Sequence, residues 1–266
     1  MTEPTSVYQK LRGNLAYLRL TAAADALAPE LDHAAKQKLS HSAFLERLLD
    51  VEVQSTEERR MAGRRRFACL PAPWRLEDFD FDAQPGIDRK LVDELGTLRF
   101  IEEAANVLLI GPPGVGKTHL AVSLGHRAVE AGYRTYYTTA ADLAARCHRA
   151  AIEGRWATTM RFFAGPSILI IDELGYLPLA HEAAAALFQV VTQRYLKGSI
   201  VLTTNRGITQ WGQMFNDDTT VAAAMLDRLL HRSTVLAING DSYRMRMHRE
   251  RVDAVRRAIA PAGGSA

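Results

Sequence analysis

Eight consecutive residues, Gly111-Pro112-Pro113-Gly114-Val115-Gly116-Lys117-Thr118, fit the pattern G-x-x-x-x-G-K-[ST]. The chemistry open to such a run is anion capture. Glycines let backbone amides turn inward around phosphate oxygens, a lysine brings a point charge to them, and a hydroxyl at a helix N-terminus can ligate magnesium. Fifty-six residues after Gly116, the run Ile168-Leu-Ile-Ile-Asp172-Glu173 ends in two carboxylates. A buried apolar run tolerates carboxylates only where something cationic meets them. Asp172 is therefore expected to join Thr118 in a magnesium shell, which leaves Glu173 to polarise a water for attack on a γ-phosphate. Another apolar run ends Leu202-Thr-Thr-Asn205-Arg206. The Asn205 amide is expected to orient that water and to sense the phosphate. The N-K-x-D sequence that usually accompanies guanine specificity is absent, so adenine is the expected base. The expected ligands are ATP and Mg2+, with Gly111, Pro112, Pro113, Gly114, Val115, Gly116, Lys117, Thr118 and His119 around the nucleotide, and hydrolysis follows from the paired acids.

These residues need rigid elements to hold them. Short apolar runs begin at Asn106, Thr135, Ile168, Ser199 and Thr234, and each fits a strand. Helix-like stretches near 118–131, 140–163, 181–197 and 221–231 alternate with them. Strict alternation predicts parallel strands with right-handed crossovers, covered on both faces, and hence an open α/β sheet. Ligands of such sheets sit at the carboxyl ends of the strands, where the loop, the acids and Asn205 all fall.

Upstream, residues 6–60 read as helical, with Leu11, Leu15 and Leu18 on one face and Phe44, Leu45, Leu48 and Leu49 at helical spacing later; Ser40 fits an N-cap. Pro71, Pro73 and the acidic LEDFDF run from Leu76 mark a boundary near residue 70. The expected organisation is a helical N-terminal domain over 1–70 that binds DNA or a partner, an α/β domain over 71–258 and a disordered tail over 259–266.

The whole chain has 266 residues, 47% of them apolar and 24% charged, with a formal net charge of +3, which excludes disordered and fibrous classes. No apolar run approaches the roughly 20 residues of a membrane span, and the first thirty residues lack a secretory pattern, so a cytoplasmic protein without a membrane partner is expected. Cys69 and Cys147 stand far apart without a spaced histidine and read as two buried free thiols. Charge is uneven: residues 1–70 carry 11 basic and 9 acidic side chains, against 4 and 9 over 71–105. Arg59, Arg60, Arg64, Arg65 and Arg66 crowd into eight positions, and a DNA backbone is the expected partner of that cluster.

The loop, the ILIIDE run and the LTTN ending, in this order and spacing, resemble the AAA+ ATPase module. That resemblance implies a P-loop NTPase fold with five parallel strands in the order 5-1-4-3-2. The runs LLIGPPGVGKTHLA, IIDELGYLP, TTNR and GDSYR are similar to the helicase-loader branch, which holds the DnaC and IstB families. LRLTAAADAL, LSHSAFLERLLDVE, the arginine-rich stretch and LEDFDF resemble IstB, whose members assist the transposase of a two-gene insertion sequence. Only 27 residues lie from Gly240 onward, too few for the C-terminal helical lid of the wider family. The resemblance then implies that a neighbouring subunit supplies an arginine finger, with Arg228 in MLDRLLHR the first candidate, Arg232 the second and Arg244 a weaker third. It also makes Arg146, Arg149, Arg155 and Arg161 candidate DNA contacts. Its functional implication is an ATP-dependent regulator that oligomerises on duplex DNA and delivers or activates a transposase encoded by a neighbouring gene. The alternative is a replicative helicase loader acting on single-stranded DNA, and a phosphoryl-transfer enzyme for a small metabolite stands third.

Overall fold

A computed structural model describes residues 6–176, 181–215, 219–243, 245–246 and 251–252. Arg244 and the expected tail over 259–266 lie outside the described residues. The chain divides into two compact units, Met1–Gly63 and Arg64–Ala266.

The first unit is helical. It holds α1 (Val7–Tyr17), α2 (Thr21–Gln37) and the greater part of α3 (His41–Ala68). Ser6 caps α1, and the Ser40 hydroxyl accepts from the Ala43 amide at 3.2 Å, which starts α3 where its side chain predicts. Ala23, Leu27 and Leu48 form a small core, flanked by Leu15, Leu20, Ala26 and Phe44. Beside that core the buried Glu52 carboxylate accepts from the Ala23 amide at 3.0 Å, in the first turn of α2, and from Arg59 at 2.7 Å. The Ala23 hydrogen bond, with help from Arg59, holds the Glu52 carboxyl below the usual carboxylate range.

The second unit is a three-layer α/β sandwich. After a 3-10 turn at Leu76–Asp78, its elements run α4 (Arg89–Gly96), α5 (Arg99–Glu102), β1 (Asn106–Ile110), α6 (Lys117–Glu130), β2 (Thr135–Thr139), α7 (Ala140–Ile152), α8 (Trp156–Ala164), β3 (Ile168–Leu174), α9 (His181–Arg194), β4 (Ser199–Thr204), α10 (Trp211–Met214), α11 (Thr219–Leu230) and β5 (Ser233–Ala237). All five strands are parallel, in the order β2-β3-β4-β1-β5, which is the expected 5-1-4-3-2 read from the other side. The central strands each carry a continuous apolar run because both faces are covered. Leu120, Ala121 and Leu124 of α6 pack on one face with Val107 and Leu109, and Leu187 and Val191 of α9 pack on the other with Leu169 and Ile171. The stretch 140–163, which reads as one helix, is two: α7 stops at Ile152, and Gly154 takes a φ of 68° before α8 begins. The left-handed turn that separates them suits glycine alone without cost. Among the described residues no helix is long and apolar enough to cross a membrane. Both cysteines are free thiols, but only Cys147 is buried; Cys69, just past the end of α3, is exposed.

Candidate nucleotide site

The loop between β1 and α6 takes its shape from two kinds of pressure. Gly116 has a φ of 98° at the N-terminus of α6, and a side chain there would drive a Cβ to 2.6 Å from the Phe79 ring. Gly111 passes so close to the Ile238 carbonyl that no side chain fits. Glycine is required at both positions, which leaves the loop's amides room to face a ligand.

Lys117 opens α6 and is only 4% exposed. Its ammonium donates to the carbonyls of Gly111 and Pro112, each at 2.7 Å, so it lies folded across the loop that it follows. Next to it, the Thr118 hydroxyl donates to Asp172 Oδ1 at 3.0 Å. Asp172 is 1% exposed and is the centre of a polar knot: the Thr203 hydroxyl also donates to Oδ1, and the Tyr137 phenol donates to Oδ2 at 2.7 Å. Burial and the Asp172 carboxylate push the Tyr137 phenol above its ordinary range, which favours the protonated, donating form. Three hydroxyls thus orient one carboxylate. The Thr118 hydroxyl and the Asp172 carboxylate are hard oxygen donors of the kind that magnesium takes, so their types and placement fit the ion.

A simple strand would send Asp172 and Glu173 to opposite faces. Here the β3–β4 register shifts between Ile171 and Leu174, and Glu173 takes a φ of 62°. That irregularity re-aims the second acid, so that Asp172 stays buried while Glu173 is exposed and lines the cavity beside the loop. The Glu173 amide donates to Thr203 Oγ1 at 2.9 Å, and this bond ties the distorted turn to β4. Asn205 follows β4 directly, and its Oδ1 is buried without a hydrogen-bond partner. An unmet acceptor at the carboxyl edge is the kind of group that a ligand or its attacking water satisfies.

The cavity encloses about 400 Å³ and is lined by Pro113 to His119 of the loop, by Glu173 and Tyr176, and by the acidic connector through Trp74, Asp78, Phe79, Asp80 and Gln84. His119 fastens that connector to α6: its ring stacks on Trp74 at 5.1 Å, meets Phe79 edge-on at 5.3 Å and bonds the Arg75 carbonyl at 3.2 Å. The connector's role was hidden in the sequence, where LEDFDF reads only as a boundary. Tyr137 was hidden too, since it has no motif of its own, and Thr203, although inside the LTTN run, carried no expected role.

The arginines are placed differently. Arg228, in the last turn of α11, donates to its own helix at Ala224 O (2.7 Å) and lies 5.0 Å over the Phe188 ring. The next residue, Leu229, offers its carbonyl to the Asn106 side chain at the start of β1, so Arg228 stands at the sheet edge opposite the loop. A five-residue strand of about 3.3 Å per residue separates the two edges. Arg232 is exposed just before β5.

Of the arginines expected to meet DNA, Arg59 pairs with Glu52 and Arg60 with Glu57 at 2.8 Å. Arg64 buries an Nε without a partner, Arg65 reaches Glu130 only at 3.9 Å, and Arg66 is exposed. Arg146 is built into an aromatic cluster, 3.7 Å over the Phe162 ring and bonded to the Tyr136 hydroxyl. Arg149 is exposed on α7, Arg155 pairs with Glu153, and Arg161 is exposed on α8.

Comparison with known proteins agrees with this architecture. The chain is 42% identical over 232 residues to the ATP-binding protein of insertion sequence IS5376 from Geobacillus stearothermophilus, covering 87% of this chain and 92% of the relative. It is 46% identical over 220 residues to its counterpart in insertion sequence IS21 from Pseudomonas aeruginosa, covering 83% of each. Among solved structures, AMPPCP-bound DnaA from Aquifex aeolicus superposes with a TM-score of 0.52 at 21% identity, over 70% of this chain and 56% of that one, a likeness of fold. Residues 13–251 match the family described as IstB-like ATP binding protein, and the chain belongs to that family.

Proposed function

We propose that the chain is an ATP-hydrolysing regulator of DNA transposition: it binds ATP in the loop cavity, assembles with copies of itself on duplex DNA, and delivers or activates a partner transposase. The observation that carries this reading is the group at the carboxyl edge of the sheet. A glycine loop, a lysine and a hydroxyl stand beside one buried and one exposed carboxylate. The relatives' names, which tie ATP binding to insertion sequences, support the biological half of the reading.

In this scheme Lys117 leaves the Gly111 and Pro112 carbonyls for the β- and γ-phosphates, which offer it stronger, charged acceptors. Thr118 and Asp172 would hold a magnesium ion, which would neutralise phosphate charge. Glu173 takes a proton from the attacking water, and Asn205 orients that water through its unmet acceptor. Arg228 cannot serve the loop of its own subunit from the opposite edge, so it is assigned to the γ-phosphate of a neighbour, with Arg232 in reserve. The exposed Arg65 and Arg66, with Arg64, are the best placed of the N-terminal arginines for phosphate contact, because Arg59 and Arg60 already have carboxylates.

The test is competition between duplex and single-stranded DNA of equal length for the ATP-bound protein. Duplex preference is expected, with log affinity falling linearly in log salt. Replacing Arg64, Arg65 and Arg66 by Ala should flatten that slope by up to about 3 units. A clear preference for single strands would favour helicase loading instead.

A further inference from the structure

Among the polar groups of the loop cavity that phosphate chemistry does not use, Gln84 is the one that keeps a buried acceptor unmet. It lines the cavity from the connector and is 2% exposed. Turns fix its backbone on both sides, with its amide donating to Phe81 O and its carbonyl accepting from Ile87 N, each at 3.1 Å. Its side-chain amide donates from Nε2 to the Asp241 carbonyl at 2.8 Å, across 157 positions of sequence. A carbonyl only accepts, so this bond settles which way round the amide lies. Oε1 is thereby turned away from Asp241, and it is buried without a hydrogen-bond partner. Gly240 crosses so close that a Cβ there would stand 2.6 Å from this oxygen, so the approach that surrounds Oε1 depends on a glycine.

A buried acceptor left unmet is costly, about 1–3 kcal/mol, unless a ligand supplies a donor. The same cavity presents the flat apolar surfaces of Trp74, Phe79 and Tyr243, which suit an aromatic ring. We propose that Gln84 is the residue that selects the base: its Oε1 accepts a hydrogen bond from the 6-amino group of adenine. A 6-oxo purine would set carbonyl against carbonyl at that point and leave both unsatisfied. The assignment rests on the ATP reading of the cavity and adds to it the residue that reads the base.

The experiment is calorimetric titration of the full-length protein with ATP and with inosine triphosphate, which differs in carrying a 6-oxo group. The unaltered protein should bind ATP about 10- to 100-fold more tightly. Gln84→Leu, confirmed as folded by its melting in the absence of nucleotide, should bring the two affinities within about 3-fold, chiefly by weakening ATP. Comparable tight binding of both nucleotides by the unaltered protein overturns the role of Gln84 while leaving the nucleotide site standing. This arm decides the matter even if Gln84→Leu does not fold. An unchanged preference in folded Gln84→Leu overturns it as well. Absence of binding by either nucleotide removes both the site and the assignment.

Discussion

The two edges of the sheet commit their buried polar side chains differently. At the amino edge, Arg194 is 1% exposed, and its two Nη groups donate to five backbone carbonyls, those of Phe163, Ala164, Pro166, Ser167 and Ser199. Burial lowers its pKa to about 10, which still leaves the guanidinium charged at neutral pH. Asn106 on the same edge is equally committed, donating to Leu229 O at 3.0 Å and accepting from the Ile200 amide at 2.9 Å. Apart from the Arg194 Nε and the Thr135 hydroxyl on this edge, which are buried without a partner, these groups spend their hydrogen-bonding capacity on the chain itself. At the carboxyl edge, Asn205 and Gln84 each keep a buried oxygen unmet, and Glu173 sits in a left-handed conformation. Polar groups committed to backbone partners serve the fold, whereas unmet oxygens and a strained backbone at the carboxyl edge remain available to whatever is bound there.

Four substitutions put that contrast at risk. The largest effect is expected for Arg228→Ala, which should lower ATP turnover by about 10³ to 10⁵ while sparing ATP binding. Mixed with Glu173→Gln subunits it should recover part of the activity, because some interfaces then join an intact finger to an intact site. Steady-state rates that are independent of protein concentration, with no recovery on mixing, would break the assignment across subunits. Arg194→Met should do the reverse, costing about 4 kcal/mol of stability in denaturant titrations because five carbonyls lose a charged donor, with ATP affinity of the folded fraction unchanged.

Asn205→Ala should reduce kcat by about 10²- to 10³-fold with little change in melting temperature, since its oxygen supports nothing in the fold. A large loss of stability would move Asn205 to the structural side of the comparison. The smallest effect belongs to the N-terminal unit. Glu52→Ala should cost that unit about 1 kcal/mol through the lost contact to the start of α2. Because the folded-state pKa of Glu52 is lowered, its contribution is present above the unfolded carboxyl pKa and is lost as pH falls through the folded value. Thermal melts of the unaltered protein and the variant should therefore converge in acid.

Which parts were legible in the sequence follows from the same contrast. The parallel strands, the loop and the acids announce themselves because anion binding demands particular residues at particular spacings, and because strands buried on both faces are continuously apolar, while the strand order comes from the resemblance to the AAA+ module. Arg194 has no such signal. Its partners are carbonyls, which every residue carries, so within a helix it resembles any surface arginine. Tyr137 lies in TYYTT beside a second tyrosine, and only the register that sets Thr139 against Asp172 shows which ring reaches the acid. Gln84 needs the Asp241 carbonyl, far along the chain, before its orientation means anything. The break at Gly154 was visible as a glycine, but a helix can carry one, and spacing alone does not say that its φ turns positive.

The backbone at Glu173 sets screening for robustness against the retention of function. A left-handed φ on a side-chain-bearing residue costs about 1–2 kcal/mol, and here the Thr203 hydroxyl and the resumption of β3 at Leu174 hold it in place. Glycine relieves that strain at once. A library ranked only by heat tolerance would therefore promote Glu173→Gly and discard the acid assigned to the attacking water. Improvement of this protein by such a screen calls for a turnover assay alongside the melting curve, because at this position the two measures point in opposite directions.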